Sequence, residues 1–278
     1  MADSDLAAER IARAGEIRRC RGYRLYARDG RRLLDLWQAG GRAILGHRQS
    51  GVSARIREDL DRGLADPVAS GRERALGAML TSMVPGCVRA TVRFYRNRER
   101  ALAAIAAILE VGVDRIRAHE PFGPIPDHQP VLWRPFLPPE LWKEVLGANP
   151  AAILPVVPVP AVLQLQPVVF TGNVAPNGDV IPPMEISAAA SAVDAVSRAD
   201  IPATLNLSGF ASYGPYLLRA NDREDYDAVF DAFLDRDILL SPDSRVPSIV
   251  PGVMSDGESS HLVVAARETG SKATRHDH

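Results

Sequence analysis

Apolar positions along the chain alternate between a helical rhythm and a two-residue rhythm, and the changes between them mark out the elements. Residues 4–19 predict an opening helix. Tyr23-Arg24-Leu25-Tyr26 and Leu33-Leu34-Asp35-Leu36 then flank Arg28-Asp29-Gly30. Asp-Gly between two apolar runs predicts a β-hairpin, because the turn needs positive φ and these residues tolerate it. Gly40-Gly41 and Gly46-His47 read as a loop. After Ser50, apolar residues recur every four positions at Val52, Ile56, Leu60 and Leu64, the pattern of an amphipathic helix. Ser70 and Glu73 have capping-box spacing ahead of Leu76, Met79, Leu80 and Met83, which predicts the next helix. Ala90, Val92 and Phe94 alternate with Arg89, Thr91 and Arg93 as a strand would, and Leu102, Ile105, Ile108 and Leu109 define a further helix.

The texture changes from Pro121 to Pro183, where crowded prolines forbid long regular elements except at edges and turns. Pro182-Pro183 suits a helix start, and Ile186, Ala189, Ala190, Val193 and Val196 continue it with small residues. Tyr216–Arg219 predicts a strand, Asp222 an N-cap, and Tyr226, Val229, Phe230, Phe233 and Leu234 a full helical stripe. Ile238-Leu239-Leu240 reads as a short strand, residues 242–260 as a loop, and His261–Arg267 as one last element before a polar tail.

At 278 residues and 46% apolar composition the chain can bury a core without covalent staples. Its two cysteines, Cys20 and Cys87, have no metal-type spacing and read as ordinary thiols in a reducing compartment. A formal charge of -1 and a pI near 6.6 argue against a nucleic-acid or anionic-membrane partner. Removing the two lysines, Lys143 and Lys272, from 33 basic residues leaves 31 arginines, concentrated in the first hundred positions. Met1–Glu9 lacks the apolar core of a signal peptide, and prolines interrupt the most apolar run, residues 151–170. These features predict a soluble, cytoplasmic protein.

Gly22-Tyr23-Arg24-Leu25-Tyr26, Asp29-Gly30, Leu34-Asp35-Leu36, Gly40 and Leu45-Gly46-His47 resemble, in that order, the opening of class III aminotransferases of the fold type I pyridoxal-phosphate family. Glu73, Leu76, Leu80, Val84-Pro85 and Val92-Arg93-Phe94 are similar to that family's approach to its phosphate loop. Asp225-Tyr226, Val229-Phe230, Phe233-Leu234, Ile238-Leu239-Leu240 and Ser241-Pro242 are similar to its C-terminal helix, strand and loop. The resemblance covers residues 20–110 and 183–268. It implies an α/β fold of the fold type I transferase kind, shortened, with the small domain retained and the large domain reduced. Residues 1–88 and 183–268 would form the small-domain parts, 89–182 a proline-rich remnant of the large domain, and 269–278 a disordered tail. It further implies a homodimer.

The same resemblance exposes losses. Where the family turns through serine, glycine and threonine to hold the cofactor phosphate at a helix N-terminus, this chain reads Tyr95-Arg96-Asn97-Arg98-Glu99. Glu99 would bring a carboxylate to the phosphate, partly offset by Arg96 and Arg98. The family's Asp-Glu clamp on the pyridine nitrogen and its Schiff-base lysine have no counterpart. Lys143 is flanked by glutamates that favour its charged form, and Lys272 lies in the C-terminal tail, whereas imine chemistry needs an amine of depressed pKa.

The expectation is therefore a catalytically inactive, aminotransferase-like binding protein with no bound cofactor. Alternatives are one chain of a split pyridoxal-phosphate enzyme completed by a protein partner that supplies the missing large-domain parts, or a cofactor-free enzyme in a remodelled cleft. Cleft candidates are Tyr23, Trp37, Gly40, Gly41 and His47, with Arg96, Asn97 and Arg98 at the former phosphate loop. The structural reading of the same residues makes Trp37 a core aromatic and His47 a helix cap. His119-Glu120 with Asp127-His128 has metal-binding residue types without a helical metal spacing. His276-Asp277-His278 reads as a tail. Ser208-Gly209 and Ser259-Ser260-His261 lack a nucleophile elbow and read as turns.

Overall fold

The computed structural model describes residues 2–83, 90–116, 119, 121–122, 129–138, 140–141, 153–155, 165–170, 175–200, 202–219 and 226–273. In chain order the elements begin with α1 (Ala2–Arg13), β1 (Ile17–Arg21), β2 (Arg24–Ala27), β3 (Arg32–Asp35), α2 (Ser50–Asp61) and α3 (Arg72–Met83). They continue through β4 (Thr91–Tyr95), α4 (Arg98–Leu109), β5 (Val131–Trp133), β6 (Ile153–Pro155), β7 (Gln166–Phe170) and α5 (Pro183–Arg198). The last are β8 (Phe210–Tyr213), β9 (Tyr216–Arg219), α6 (Tyr226–Leu234), β10 (Ile238–Leu239), β11 (Ser248–Ile249) and α7 (Asp256–Ala273). The fold is mixed α/β, and the chain divides into two compact units, Met1–Arg48 with Asp200–His278 and Gln49–Ala199. The division falls inside the sequence segments 1–88 and 183–268.

In the first unit the predicted hairpin forms with β2 and β3 antiparallel, Leu25 opposite Leu33, and Gly30 in the left-handed region at φ 94°. The opening helix stops earlier than its pattern suggests. Ala14 and Gly15 close it through bonds to Ile11 and Ala12 carbonyls, and Gly15 takes φ 81°, so Ile17–Arg21 leaves as a strand beside β2. A parallel β10 completes a four-stranded sheet ordered β1-β2-β3-β10, and β11-β9-β8 forms a second, three-stranded sheet. Between and around them lies a core built from Leu33, Leu36, Phe230, Phe233, Leu239 and Leu262. The predicted α6 stripe is fully buried. α7 starts inside the segment read as a loop, because Ser255 and Glu258 form a reciprocal capping box: Ser255 N–H donates to Glu258 Oε2 at 2.8 Å, and Glu258 N–H to Ser255 Oγ at 3.2 Å.

In the second unit β4 lies at the edge of a sheet ordered β4-β7-β6-β5, with β4 antiparallel to β7 over five residue pairs. The proline-rich stretch thus supplies three strands, each short. α2, α3 and α5 pack together around Val52, Leu76, Leu80, Ile186, Ala189 and Val193. On α2 the expected apolar stripe is broken. Leu60 is 49% exposed while Asp59 is 0% exposed, because Asp59 Oδ2 accepts from Arg72 at 2.7 Å and Arg72 in turn bonds Ser187 on α5. Among the described residues no helix is long and apolar enough to cross a membrane.

Candidate functional site

Five of the cleft candidates fall together in the first unit, and the residue that organises them is Asp35, the last of β3. Its carboxylate is 1% exposed and fully engaged. Oδ1 accepts from the backbone N–H groups of Trp37 (2.9 Å) and Gln38 (2.8 Å), and Oδ2 lies 2.7 Å from His47 Nε2. His47 is therefore a partner of Asp35 and not a helix cap; the N-cap of α2 is Gln49, without a side-chain bond. The backbone fixes the imidazole from the other side, since His47 N–H donates to Gly22 O at 2.6 Å. That approach requires glycine at 46, where φ is 83° and a Cβ would sit 3.1 Å from the Gly22 backbone. Tyr23 is buried, donates from its hydroxyl to Ile44 O at 3.0 Å, and has its phenol pushed up by burial. Trp37 is partly buried against the core, as the structural reading expects.

The turn after Asp35 is strained. Gln38, Ala39, Gly40 and Gly41 all take positive φ, at 49°, 50°, 69° and 100°. For the two non-glycine residues this conformation costs about 1–2 kcal/mol each. It is kept by the two N–H bonds to Asp35 and by Gln38 itself, which is 0% exposed and donates from Nε2 to Ile249 O at 3.0 Å. Gln38 Oε1 is buried with no partner among the described residues. Arg42 follows, half-buried, and burial alone pulls its guanidinium pKa down. The Cys20 thiol has its pKa pushed up, first by burial and second by the charge of Asp35. The reading of Cys20 as an ordinary thiol agrees with this.

The other three candidates lie in the second unit at the start of α4. Asn97 is its N-cap, with Oδ1 accepting from Arg100 N–H at 2.9 Å. Arg96 N–H donates instead to Asp179 Oδ2 at 3.0 Å, and the Arg100 fork closes on the same carboxylate, Nε to Oδ2 at 2.7 Å and NH2 to Oδ1 at 2.5 Å. These bonds, led by Arg100, hold the Asp179 carboxyl below its ordinary pKa. The loop that delivers Asp179 is itself seated on β4. Asp179 N–H bonds Phe94 O at 2.8 Å, and a Cβ at Gly178 would lie 2.9 Å from that oxygen. Asp179 thus adds a second carboxylate to Glu99 of the first turn, and its cation is Arg100. Nearby Glu185, in the first turn of α5, has its carboxyl pushed up by burial.

Two donors at the α4 start are already turned to side chains of the chain itself: Arg96 N–H to Asp179 and Arg100 N–H to Asn97. A phosphate dianion there would also face Asp179 and Glu99. Two carboxylates at this helix start, Asp179 and the first-turn Glu99, are unfavourable neighbours for a phosphate dianion. A groove of about 790 Å³ runs beside β4, lined by Gly77, Thr91, Arg93, Asn177 and Asp179. Another, of about 580 Å³, lies over Arg55, Arg72, Ser187 and Asp194.

Lys143, Glu120, Asp127, His128, Cys87, Asp222 and His276–His278 lie outside the described residues, as does the side chain of Lys272. His119 pairs its backbone with β5, donating to Pro130 O and accepting from Leu132 N–H. Among the described residues no group of three His, Cys, Asp or Glu could hold a metal ion. Gly209 is a turn residue with φ 77°, and Ser259 and His261 are in α7.

No family model matches the chain. An uncharacterized protein of Treponema pallidum (strain Nichols) is 27% identical over 299 residues, covering 88% of this chain and 91% of that one. Solved structures similar to it include an omega-transaminase from Sphaerobacter thermophilus (TM-score 0.62, 15% identity, 98% of each chain). An omega-aminotransferase from Paracoccus denitrificans (TM-score 0.66, 11% identity) covers 95% of this chain with 94% of its own. N-acetylornithine aminotransferase from Stenotrophomonas maltophilia K279a (TM-score 0.58, 13% identity) covers 94% with 96% of its own. At such identities the likeness shows the fold, which is that of the fold type I aminotransferases, as the sequence resemblance implies.

Proposed function

We propose that this chain is a non-catalytic, aminotransferase-like protein that acts by binding a ligand or another protein, without pyridoxal phosphate. The observation that carries the reading is the Asp179 carboxylate clamped by Arg96 N–H and Arg100 at the start of α4. An anion of the chain's own takes the Arg96 N–H and the Arg100 fork, donors at the helix start that a phosphate could otherwise use. Each further negative charge placed about 4 Å from it costs from about 1 kcal/mol in water to about 4 kcal/mol near a protein surface. A chain with only two lysines, one of them flanked by Glu144, also has few amines for imine chemistry.

The test is to mix the purified full chain with pyridoxal phosphate, record the visible spectrum, reduce with borohydride and map adducts by mass spectrometry. The expected result is no saturable band and no adduct above that of a surface-lysine control protein. A saturable band with a single trapped lysine overturns the proposal, and so does transaminase activity recovered with a partner that co-purifies with the chain. The working unit is proposed to be a homodimer, for which light scattering should give twice the mass of the 278-residue chain.

A further inference from the structure

β1 is the last strand at one side of the first unit's sheet. The order β1-β2-β3-β10 pairs it with β2 and leaves its other edge without a neighbouring strand. The chain itself touches that edge once, just past the end of β1: Gly22 forms an isolated antiparallel bridge with His47 and accepts the His47 N–H at 2.6 Å. α2 begins at Ser50, so this pairing stops after one step. Among the described residues, no backbone group outside β2 bonds Arg18 to Arg21. A row of unpaired N–H and C=O groups on a strand edge is a template for another extended chain.

The side chains along this edge are cationic. Residues registered across a sheet share a face, which places Arg19, Tyr26 and Arg32 in one row and Arg21 and Arg24 in the next. Arg18, Arg19, Arg21 and Arg32 are exposed. Among the described residues, the carboxylate in ion-pair contact with this group is Glu258 of α7, 2.5 Å from Arg24 and 3.7 Å from Arg32. Arg19 lies over the Tyr26 ring at 4.3 Å. Arg21 stands directly opposite Arg24, and like charges in that position repel. Charge on an edge strand keeps a second copy of the chain away, since that copy brings the same arginines to the same place. An acidic strand meets no such barrier.

We propose that β1 is a docking edge for an acidic, extended segment of another protein, which adds to the sheet as a strand beside Arg18–Arg21. Main-chain bonds to the open edge set its register, and the guanidiniums select carboxylates. Because side chains two residues apart on a strand point to one face, the segment carries its acidic residues at alternate positions. Nucleic acid suits the surface less well: its backbone has no N–H and C=O row to pair with a strand edge, and Arg19 already covers the aromatic ring on which a base would stack. The inference goes beyond the binding reading above. The edge belongs to the first unit and the Asp179 clamp to the second, and the test uses no cofactor, so the two fail separately.

The experiment mixes the full chain with a short fluorescein-labelled peptide of alternating glutamate and threonine, following binding by fluorescence anisotropy at constant ionic strength and by hydrogen exchange of the β1 amides. Saturable binding with protection of those amides is expected. Three control probes should each bind weaker by about tenfold or more: the peptide with lysine for glutamate, the glutamate peptide N-methylated throughout, which keeps its charge and loses its donors, and single-stranded oligothymidylate of equal charge. Arg19→Glu combined with Arg21→Glu should lose the glutamate peptide and gain the lysine peptide, an inversion that a misfolded variant does not show. The proposal is overturned if the glutamate peptide does not bind saturably, if any control probe binds as tightly, if the β1 amides stay unprotected, or if the charge-swapped protein does not invert the preference.

Discussion

Glu258 is where a single substitution should read most clearly. Its carboxylate stands at the third position of α7, returns to the Ser255 N–H at 2.8 Å, and receives the Arg24 fork from β2, Nε to Oε1 at 2.9 Å and NH2 to Oε2 at 2.5 Å. The Arg24 bonds are the main cause that its pKa falls from 4.5 to about 2; burial opposes them as the next-largest influence, and the Ser255 bonds lower it further. At ~1.4 kcal/mol per unit, the shift corresponds to about 3 kcal/mol as a ceiling. Both side chains keep some contact with water, 21% and 15% exposed, and screening there lowers the expected figure to about 2 kcal/mol.

The sign follows from the depressed pKa. The folded state binds the proton less readily than the unfolded chain, so the contribution is complete above pH 4.5 and disappears as pH falls through about 2. Glu258→Gln keeps the shape and removes the charge. Urea unfolding of the two proteins at a series of pH values, with hydrogen exchange of β2 and α7 amides to localise the effect, should show a gap of about 2 kcal/mol at pH 7. The gap should close on acidification, since protonated glutamate and glutamine are near-isosteres. A gap that stays constant with pH, or that widens toward acid, would refute the reasoning.

Gly46→Ala should lower stability by about 1–3 kcal/mol in urea unfolding, because alanine must take φ 83° and push its Cβ against the Gly22 backbone; a loss below ~0.5 kcal/mol would show that the approach relaxes freely. Arg72→Met should cost about 3–5 kcal/mol by leaving the fully buried Asp59 without its cation, and adding Asp59→Leu should recover most of that loss. If the double variant is no more stable than Arg72→Met, the pair is not the cause.

Local chemistry wrote the hairpin, α2 to α6 and β4 into the sequence, because periodicity and turn residues act over a few positions. Asp29-Gly30 needs only its neighbours to turn the chain, and Tyr226 to Leu234 carries its own buried face. The strands β5 to β7 were hidden, since three to five residues among prolines carry too short a rhythm to recognise. Ile17–Arg21 reads equally as helix, and only Gly15 and pairing with β2 make it a strand. Tyr23, Trp37, Gly40, Gly41 and His47 could be gathered from the motif order, but not the hub that joins them. Asp35 sits in a strand pattern, and its reach to His47 appears only when Gly46 crosses Gly22.

The same holds at α4. The sequence marks Asn97 only as a residue of the former phosphate loop; that it caps α4, while the anion there arrives from Asp179, 79 residues from Arg100, appears only in the fold. With 31 arginines and 34 acidic residues in the chain, composition offers many pairings of nearly equal chemistry. Tertiary structure chooses among them, because an ion pair gains appreciable energy only where packing brings both partners out of water together. By that selection Arg24 finds Glu258 and Arg72 finds Asp59. Arg93 and Arg219, identical to them as letters in the sequence, are turned by the packing to carbonyl oxygens instead.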